Sequence, residues 1–480
     1  MTASAIRTAA RRPRFCAEQM AWMAIVATCL VPLVWPGDIP FINDEPLLIA
    51  RAVDANQKGV PAEAGLLGTY GVVYGPVAVW VYQPLVAVTH NLVVITVLHA
   101  LLMAATTAGA LWWLSRSLRL WVWFVPVPLL SPYFWFYARV LWDNPFLIPL
   151  GALAIAGYSA YLDSGSPGGL RVSVAAMAAI PLVHLMGLAL VVPLAVHIAV
   201  VRWRGVWAHR VSLAVIALLA AALAWPYLTY LATHPMPSPA AVSSVDGWIF
   251  PLFGGRLLSA YRLEYFFGSG PVGGRVFGAV AAVSRLAYAL VWTGIGIAAW
   301  RVLAAVRSRT WTPRDHLSVI LLGAVASQVV VDGLSARFQH PQYYNATWIV
   351  FALLAWFPID VAAKAGTALR WSAAAATGLL AVALLVGSGM VAVRLHRSSG
   401  TRETYGPTIA NQQQVARALA RYSPQSRLSI QVVHYNRFPH TLAILRQLTA
   451  RQPYGRPQRD LEIRYRSDDP ASGAIELVER

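Results

Sequence analysis

Two carboxylates follow the first long apolar stretch of this 480-residue chain, in the Asn-Asp-Glu-Pro segment that contains Asp44 and Glu45. Only 12% of the residues are charged, so a cluster of acids here needs an explanation. A carboxylate beside a polar substrate can act as a general base and take a proton from a hydroxyl group. The alternative is structural, because acids also stabilise the start of a helix.

The residues after this segment predict an amphipathic helix at a membrane surface. Leu48, Val53 and Ala55 fall on one face and can lie against the membrane, while Arg51 and Asp54 face water. An acidic cap on such a helix accounts for Asp44 and Glu45 without any chemistry. The residues alone leave both interpretations open.

A further acid, Asp143, stands in the segment YARVLWDNPFLIP at the edge of another apolar run. Arg139 precedes it by one helical turn, and a carboxylate near a membrane is costly unless it is paired. The two side chains could therefore form an ion pair. In the functional interpretation, Asp143 is instead a second carboxylate that faces the first acidic segment.

Donors and aromatic rings gather in the late segment DGLSARFQHPQYYNATW, which holds Arg337, His340, Tyr343 and Tyr344. An Arg and a His just outside a membrane span suit a lipid phosphate. Aromatic belts are also common at membrane surfaces. His184 is a similar candidate, although a lone His is more often a satisfied core residue.

The segment 232–285 is the last with functional candidates, and it carries Arg256 and Arg262 among several aromatic residues. Its PMPSP and GSGPVGG runs predict a flexible loop that could cover a ligand.

These residues must be positioned by a membrane-embedded scaffold, because 58% of the chain is hydrophobic and long apolar runs recur along it. Such runs predict an all-α polytopic membrane protein. Residues 172–201 are too long for one span, so we expect two short helices that meet near His184. The eleven predicted spans are about 20–36, 92–114, 121–137, 144–162, 172–185, 187–201, 211–231, 286–303, 316–331, 346–363 and 371–393.

The positive charge is distributed as expected for membrane topology, which argues against nucleic-acid binding despite a net charge of +18. A basic N-terminal tail (1–19) predicts a cytoplasmic N-terminus. The alternate loops are then also basic, with Arg116, Arg119, Arg171, Arg202, Arg204, Arg210, Arg301, Arg307, Arg309, Arg314, Lys364 and Arg370. The opposite, outer face receives the first loop (37–91), the loop 138–143, the flexible loop 232–285 and the loop 332–345.

The polar remainder, 394–480, predicts a small soluble α/β domain on the same outer face, after a transmembrane domain at 20–393. Its pattern favours a helix near 408–421, a strand near 428–433, a helix near 439–450, and strands near 461–466 and 474–478.

Several enzyme classes are excluded by motif. The sequence has no Walker A motif, no dinucleotide glycine fingerprint and no His-Glu-x-x-His zinc helix. The cytoplasmic loops are too short for a nucleotide-sugar site. Chemistry on the outer face then requires a lipid-carried substrate that is already activated.

The order of these features resembles the GT-C superfamily of membrane glycosyltransferases, near its protein O-mannosyltransferase and lipid A aminoarabinose transferase branch. The first span is followed at once by the Asp44 segment and an ARAV helix, and then by the Pro-containing stretch TYGVVYGPVAVWVYQPLVAV. WDNPFLIPLGALAIAGY resembles the acidic start of a later span, and ARFQHPQYYN resembles an Arg-rich loop before a late span. A polar outer domain also follows the last span in that superfamily.

The resemblance implies inverting transfer of a sugar from a polyprenyl-phosphate donor to a lipid, glycan or protein acceptor. Asp44 matches the general base, with Glu45 second and Asp143 at the second acidic position. No cofactor is certain, although two outer carboxylates could hold a divalent metal. Donor phosphate or lipid contacts are expected from Arg337, His340, Arg139, His184, Arg256 and Arg262, and acceptor or sugar contacts from Tyr74, Tyr343 and Tyr344.

Other functions remain open at this stage. A lipid or sugar transporter or flippase is one alternative, although such proteins usually carry ionisable residues inside several spans. A non-catalytic assembly partner is another. Chemistry on the outer face and the preference for Arg over Lys indicate a bacterial inner membrane.

Overall fold

The computed structural model describes residues 12–68, 71–234, 258, 271–335, 340–402, 405–423, 425–432, 438–449, 457–466 and 472–479. Most of this chain is helical, with one small sheet near the C-terminus. The membrane part contains helices α1 (Arg12–Leu30), α2 (Glu45–Lys58), α3 (Val77–Val88), α4 (Leu92–Leu118), α5 (Pro126–Leu129), α6 (Pro132–Tyr137), α7 (Leu147–Ser164), α8 (Pro167–Val183), α9 (Leu188–Val201), α10 (Trp203–Ala208), α11 (Arg210–Thr233), α12 (Pro271–Ser308), α13 (Pro313–Ser335), α14 (Trp348–Lys364) and α15 (Thr367–Ser398).

Six helical segments of the described chain are long and apolar enough to cross a membrane: Leu92–Leu118, Asn144–Ser164, Arg210–Thr233, Ser284–Ser308, Pro313–Leu334 and Thr367–Ser398. The chain is therefore a polytopic helical membrane protein, as its hydropathy predicts. Other predicted spans coincide with shorter helices. Residues 172–201 divide at His184 into α8 and α9, as expected from their length.

The predicted span 121–137 is not one continuous helix. In its place the chain forms a short 3-10 turn (Val122–Phe124) followed by the one-turn to two-turn helices α5 and α6. Pro126, Pro128 and Pro132 explain the difference, because proline lacks the N–H that a continuous helix needs. These pieces are buried inside the bundle, and their side chains fill its core.

The first loop packs on protein where the sequence predicted a membrane contact. Leu48, Val53 and Ala55 of α2 are buried, Leu48 and Val53 in the main core, and α3 packs alongside. The helix ends at Gly59, whose φ of 68° is a left-handed conformation that glycine adopts without strain. Because protein covers its apolar face, α2 is held as part of the fold.

The C-terminal unit follows the predicted order of elements. It contains α16 (Ile409–Leu419), β1 (Arg427–Ile430), α17 (Phe438–Thr449), β2 (Asp460–Tyr465) and β3 (Ile475–Glu479). The central strand β2 pairs in parallel with β1, Ile430 opposite Ile463, and antiparallel with β3, Ile463 opposite Leu477.

This unit is attached to the start of the first loop. The backbone N–H groups of Ile409 and Ala410 donate to the carbonyls of Ile39 and Gly37, each at 3.0 Å. The Tyr405 hydroxyl donates to the Asp38 carbonyl at 2.7 Å. The segment just before Asp44 is therefore clamped between the bundle and the C-terminal unit.

Candidate active site

Asp44 and Glu45 lie where α2 begins, because Pro46 suits the first turn of a helix. The Asp44 side chain makes no capping hydrogen bond to the first turn and is partly exposed. Glu45 is 3% exposed and accepts a hydrogen bond from the Asn43 N–H at 3.0 Å. Glu45 is therefore held by the local backbone, and both carboxylates lie at the helix start, where the helix dipole favours acids.

Asp143 is the second buried carboxylate at this end of the bundle, and it is 2% exposed. Its Oδ1 accepts hydrogen bonds from the backbone N–H and side-chain amide of Asn144, at 2.7 and 3.1 Å. Its Oδ2 is buried and receives no hydrogen bond within the described part of the chain. One oxygen thus fixes the side chain and the other remains available to a ligand.

The three carboxylates are close enough to influence one another. Burial, followed by the charge of Asp44, raises the pKa of Asp143 to about 8, and Glu45 adds to the shift. Burial and Asp44 raise the pKa of Glu45 to about 7. The structure therefore brings together Asp44, Glu45 and Asp143, which are separated by about a hundred residues in the sequence. We call this group the acidic cluster.

The hypothesis of an Arg139–Asp143 ion pair is wrong. The Arg139 guanidinium stacks over the Trp135 ring at 4.2 Å, and its Nη2 donates to the carbonyls of Trp35 and Asp38 at 2.6 and 3.2 Å. Its Nε and Nη1 have no hydrogen-bond partner among the described residues. Arg139 therefore turns away from Asp143 and holds the start of the first loop.

A second group of predicted residues meets at the same end. The ring centroids of Tyr74 and His184 are 4.0 Å apart, those of His184 and Tyr343 are 6.0 Å apart, and those of His340 and Tyr343 are 5.5 Å apart. The short turn Asn144–Phe146 beside Asp143 packs on the turn Pro341–Tyr344. This aromatic cluster, Tyr74, His184, His340 and Tyr343, therefore borders the acidic cluster.

Both histidines of the aromatic cluster are neutral at neutral pH. Burial lowers the pKa of His184 to about 3 and that of His340 to about 4. The His184 Nδ1 accepts the Met186 N–H at 3.2 Å, so its proton resides on Nε2. His184 therefore offers a hydrogen-bond donor rather than a positive charge.

A buried polar network that the sequence analysis missed holds the late loop in place. The Tyr344 hydroxyl donates to Asp332 Oδ2, and the Gln328 amide donates to Asp332 Oδ1 at 2.9 Å. From another part of the core, the Tyr133 hydroxyl lies 2.7 Å from the Pro341 carbonyl oxygen and 2.6 Å from Asn345 Oδ1. Tyr344, a predicted substrate contact, is fully buried in this network. The sequence feature that could have predicted this network is the pair of polar residues Gln328 and Asp332 in the last turns of an apolar helix.

Sequence reasoning also missed Tyr82 and His99, which lie behind the acidic cluster. The Tyr82 hydroxyl is 3.2 Å from the Trp142 carbonyl and 3.3 Å from His99 Nδ1, and both residues are fully buried. The sequence feature that could have predicted this pair is His99, a histidine within an apolar span. Tyr82 supports the backbone just before Asp143.

Three predicted residues, Arg256, Arg262 and Arg337, lie outside the described residues. Within the part of the chain that the structure describes, no group of three or more metal-ligating side chains converges on one point.

Comparison with known proteins identifies the fold. No protein-family profile and no curated protein sequence matches this chain. Among solved structures, it is similar to the crystal structure of ArnT from Cupriavidus metallidurans bound to undecaprenyl phosphate. The similarity covers 92% of each chain with a TM-score of 0.51 and 15% sequence identity. The chain therefore shares the fold of this ArnT structure.

Proposed function

We propose that this protein is an inverting glycosyltransferase that uses a polyprenyl-phosphate sugar as donor. The observation that carries the proposal is the convergence of Asp44, Glu45 and Asp143 at one end of a bundle with the GT-C fold. The ArnT structure of that fold contains undecaprenyl phosphate, which supports a polyprenyl-linked donor. The acceptor is a lipid, a glycan or a protein of the cell envelope.

Asp44 is the general base in this proposal. A base must be ionised and must reach the acceptor, and Asp44 is the partly exposed member of the acidic cluster. It takes the proton of the acceptor hydroxyl as the oxygen bonds to the anomeric carbon. The bond from that carbon to the phosphate oxygen breaks, and its electron pair leaves with polyprenyl phosphate. Attack opposite the leaving group inverts the anomeric centre.

Asp143 and Glu45 have supporting roles. Their raised pKa values favour protonated carboxyl groups near neutral pH, which can donate a hydrogen bond to a sugar or acceptor oxygen. The unpartnered Oδ2 of Asp143 is well suited to such a contact.

We assign binding of the donor phosphate to the side of the site that contains the aromatic cluster. His184 and His340 supply neutral hydrogen-bond donors, so the positive charge is assigned to Arg337, with Arg256 and Arg262 as further candidates. Tyr74 and Tyr343 are assigned to sugar or acceptor contacts. The structural contacts of Arg139 and Tyr344 make them positioning residues in this scheme.

The orientation follows from charge. Arg and Lys residues concentrate at the end opposite the acidic cluster, which favours a cytoplasmic location for that end. We therefore place the acidic cluster and the C-terminal unit on the periplasmic face of a bacterial inner membrane.

The test first compares the sugars of the cell envelope in cells with and without the protein. It then compares cells that produce the wild-type protein with cells that produce a variant. Mass spectrometry of envelope lipids, glycans and proteins should reveal a sugar that is lost with the protein. Asp44→Asn should reduce its transfer by about 100-fold or more while the purified variant remains folded. The matched control is Asp54→Asn, an exposed carboxylate of the same helix, which should retain transfer.

Two results would contradict parts of this proposal. Wild-type transfer in Asp44→Asn together with loss in Glu45→Gln would move the base to Glu45. No sugar difference between cells with and without the protein, or full transfer in both variants, would reject the enzyme and favour a transporter or an assembly partner.

A further inference from the structure

A buried polar group lies in the other half of the bundle, away from the acidic cluster. It comprises Tyr158 of α7, His197 of α9 and His316 of α13, with Arg202 just after α9. Tyr158 stands fifteen residues beyond Asp143 in the sequence, which corresponds to about 22 Å of helix. The group is therefore separate from the candidate active site.

The contacts in this group determine which ring nitrogen of His197 carries the proton. The Tyr158 hydroxyl lies 2.8 Å from His197 Nδ1. Since a hydroxyl can donate to that nitrogen, the His197 proton is placed on Nε2. His197 Nε2 is buried and has no hydrogen-bond partner among the described residues. A buried donor without a partner is costly, so its retention needs a reason.

Two neighbouring groups are also incompletely paired. His316 lies edge-to-face with His197, ring centroids 5.3 Å apart, and both side chains are more than nine-tenths buried. His316 Nδ1 and Arg202 Nε have no hydrogen-bond partner within the described part of the chain. The Arg202 charge acts on Tyr158, His197 and His316. Two unpaired histidine nitrogens therefore lie in one group with the Arg202 charge and its own unpaired Nε.

Asp315, the carboxylate next to His316 in the sequence, is already paired. Asp315 Oδ1 is 2.7 Å from Arg301, and Asp315 Oδ2 accepts the backbone N–H and hydroxyl of Thr312 at 2.8 and 2.6 Å. Both of its oxygens are therefore engaged, and Arg202 has no ion pair among the described residues. An external anion would satisfy the charge and the unpaired nitrogens together.

The surroundings indicate the depth of this site in the membrane. Trp203 and Trp207 are more than half exposed, and they form a short helix with Arg204 between α9 and α11. Trp311, stacked on His316, is also exposed. Exposed tryptophans beside arginines mark the headgroup region of a bilayer. The anion available at this depth carries a phosphate group.

We propose that Arg202, His197 and His316 form a binding site for a phosphate group at the end of the bundle opposite the acidic cluster. Arg202 supplies the charge, and the His197 Nε2–H supplies a directed hydrogen bond whose orientation Tyr158 maintains. His316 supplies the opposite wall. The phosphate belongs either to a phospholipid headgroup or to free phosphate, and both present the same oxygen atoms.

The test measures phosphate binding by the full-length protein in detergent. One arm counts phosphatidylglycerol molecules retained in native mass spectrometry. The other arm titrates inorganic phosphate and follows ³¹P line broadening. Arg202→Gln should weaken binding about tenfold, because a charge-assisted hydrogen bond is lost. The matched control is Arg204→Gln, which makes the same charge change at an exposed position two residues away.

His197→Phe is a second variant. It removes the Nε2–H donor and leaves the net charge of the protein at neutral pH unchanged. It should also weaken binding if the directed hydrogen bond contributes. Circular dichroism and melting temperature establish that each variant is folded.

The arms separate the two sources of phosphate. A lipid headgroup is identified if phosphatidylglycerol is retained, if retention depends on Arg202, and if excess inorganic phosphate does not displace it. Arg202-dependent binding of inorganic phosphate alone identifies the free ion. Equal binding by wild type, Arg202→Gln and Arg204→Gln, or no binding in either arm, would overturn the proposal.

Discussion

Asp143 and Glu45 are buried acids whose protonation links the site to protein stability. Their pKa values of about 8 and 7 lie well above the ordinary values of 3.8 and 4.5. The folded protein therefore holds protons that the unfolded chain has already released. Stability from this source is complete below the ordinary values of 3.8 and 4.5, and it is lost progressively as the pH rises from there through the folded-state values of about 7 and 8.

Asp143→Asn should therefore reduce the fall in melting temperature between about pH 6.5 and pH 8.5. Above pH 6.5 the neutral histidines His184 and His340 do not oppose the trend, because histidine is then largely neutral in the unfolded chain as well. The measurement is thermal unfolding of purified protein in detergent. Asp54→Asn should keep the pH dependence of the wild-type protein. If the melting temperature of Asp143→Asn falls as steeply as that of the wild type, buried Asp143 does not cause the pH dependence.

At the scale of single residues, the sequence located the carboxylates but not their environments. Asp44, Glu45 and Asp143 were recognisable as acids at the edges of apolar runs. Their mutual proximity, and the turning of Arg139 toward Trp135, depend on side-chain packing that no local pattern encodes. Tyr82 and Asp332 were missed because their partners are remote in the sequence or lie on other elements.

At the scale of helices, close backbone contact requires glycine at particular positions. A β-carbon on Gly294 of α12 would overlap the carbonyl oxygen of Leu354 in α14. Gly296, two residues further along α12, has open space where a β-carbon would lie, with none of the described residues within 4 Å. The two glycines therefore differ in their role although their sequence surroundings are similar.

Gly294→Ala should destabilise the protein by about 1–3 kcal/mol, because the two helices must separate or bend to accommodate the methyl group. Gly296→Ala should have no such cost, and alanine favours the helix. Melting temperatures of the two variants in the same detergent provide the comparison. Equal effects would show that α12 and α14 are not in close contact at this position.

Helix prediction succeeded where apolar runs were uninterrupted and failed at 121–137. That segment is as hydrophobic as a span, but three prolines divide it into short pieces. The division at His184 was predictable because length alone requires it.

At the scale of the whole molecule, one buried aspartate joins distant segments at the basic end. Asp360 of α14 is 2.9 Å from Arg314 and 2.8 Å from Lys364, and it accepts the Trp121 N–H at 2.9 Å. Arg314 and Lys364 also donate to the Arg119 carbonyl. This network ties the end of α4 to α13 and α14.

Asp360→Asn should destabilise the protein by about 1–3 kcal/mol, because Arg314 and Lys364 lose a shared charged acceptor but both remain partly exposed to solvent. The exposed pair Arg116–Glu18 supplies the control, and Glu18→Gln should change stability by at most about 1 kcal/mol. Denaturation in matched detergent measures both. Similar small effects would mean that the Asp360 network does not stabilise the bundle.

The sequence by itself determined the membrane class, the charge asymmetry, most helices, the order of the C-terminal elements and the resemblance to the GT-C fold. Hydropathy, proline content and charge act locally along the chain, so they can be recognised without coordinates. Only the tertiary structure decided that α2 packs on protein, that the carboxylates share one site and that Tyr133 reaches Asn345. Those outcomes depend on contacts between residues far apart in sequence, and burial then changes their protonation.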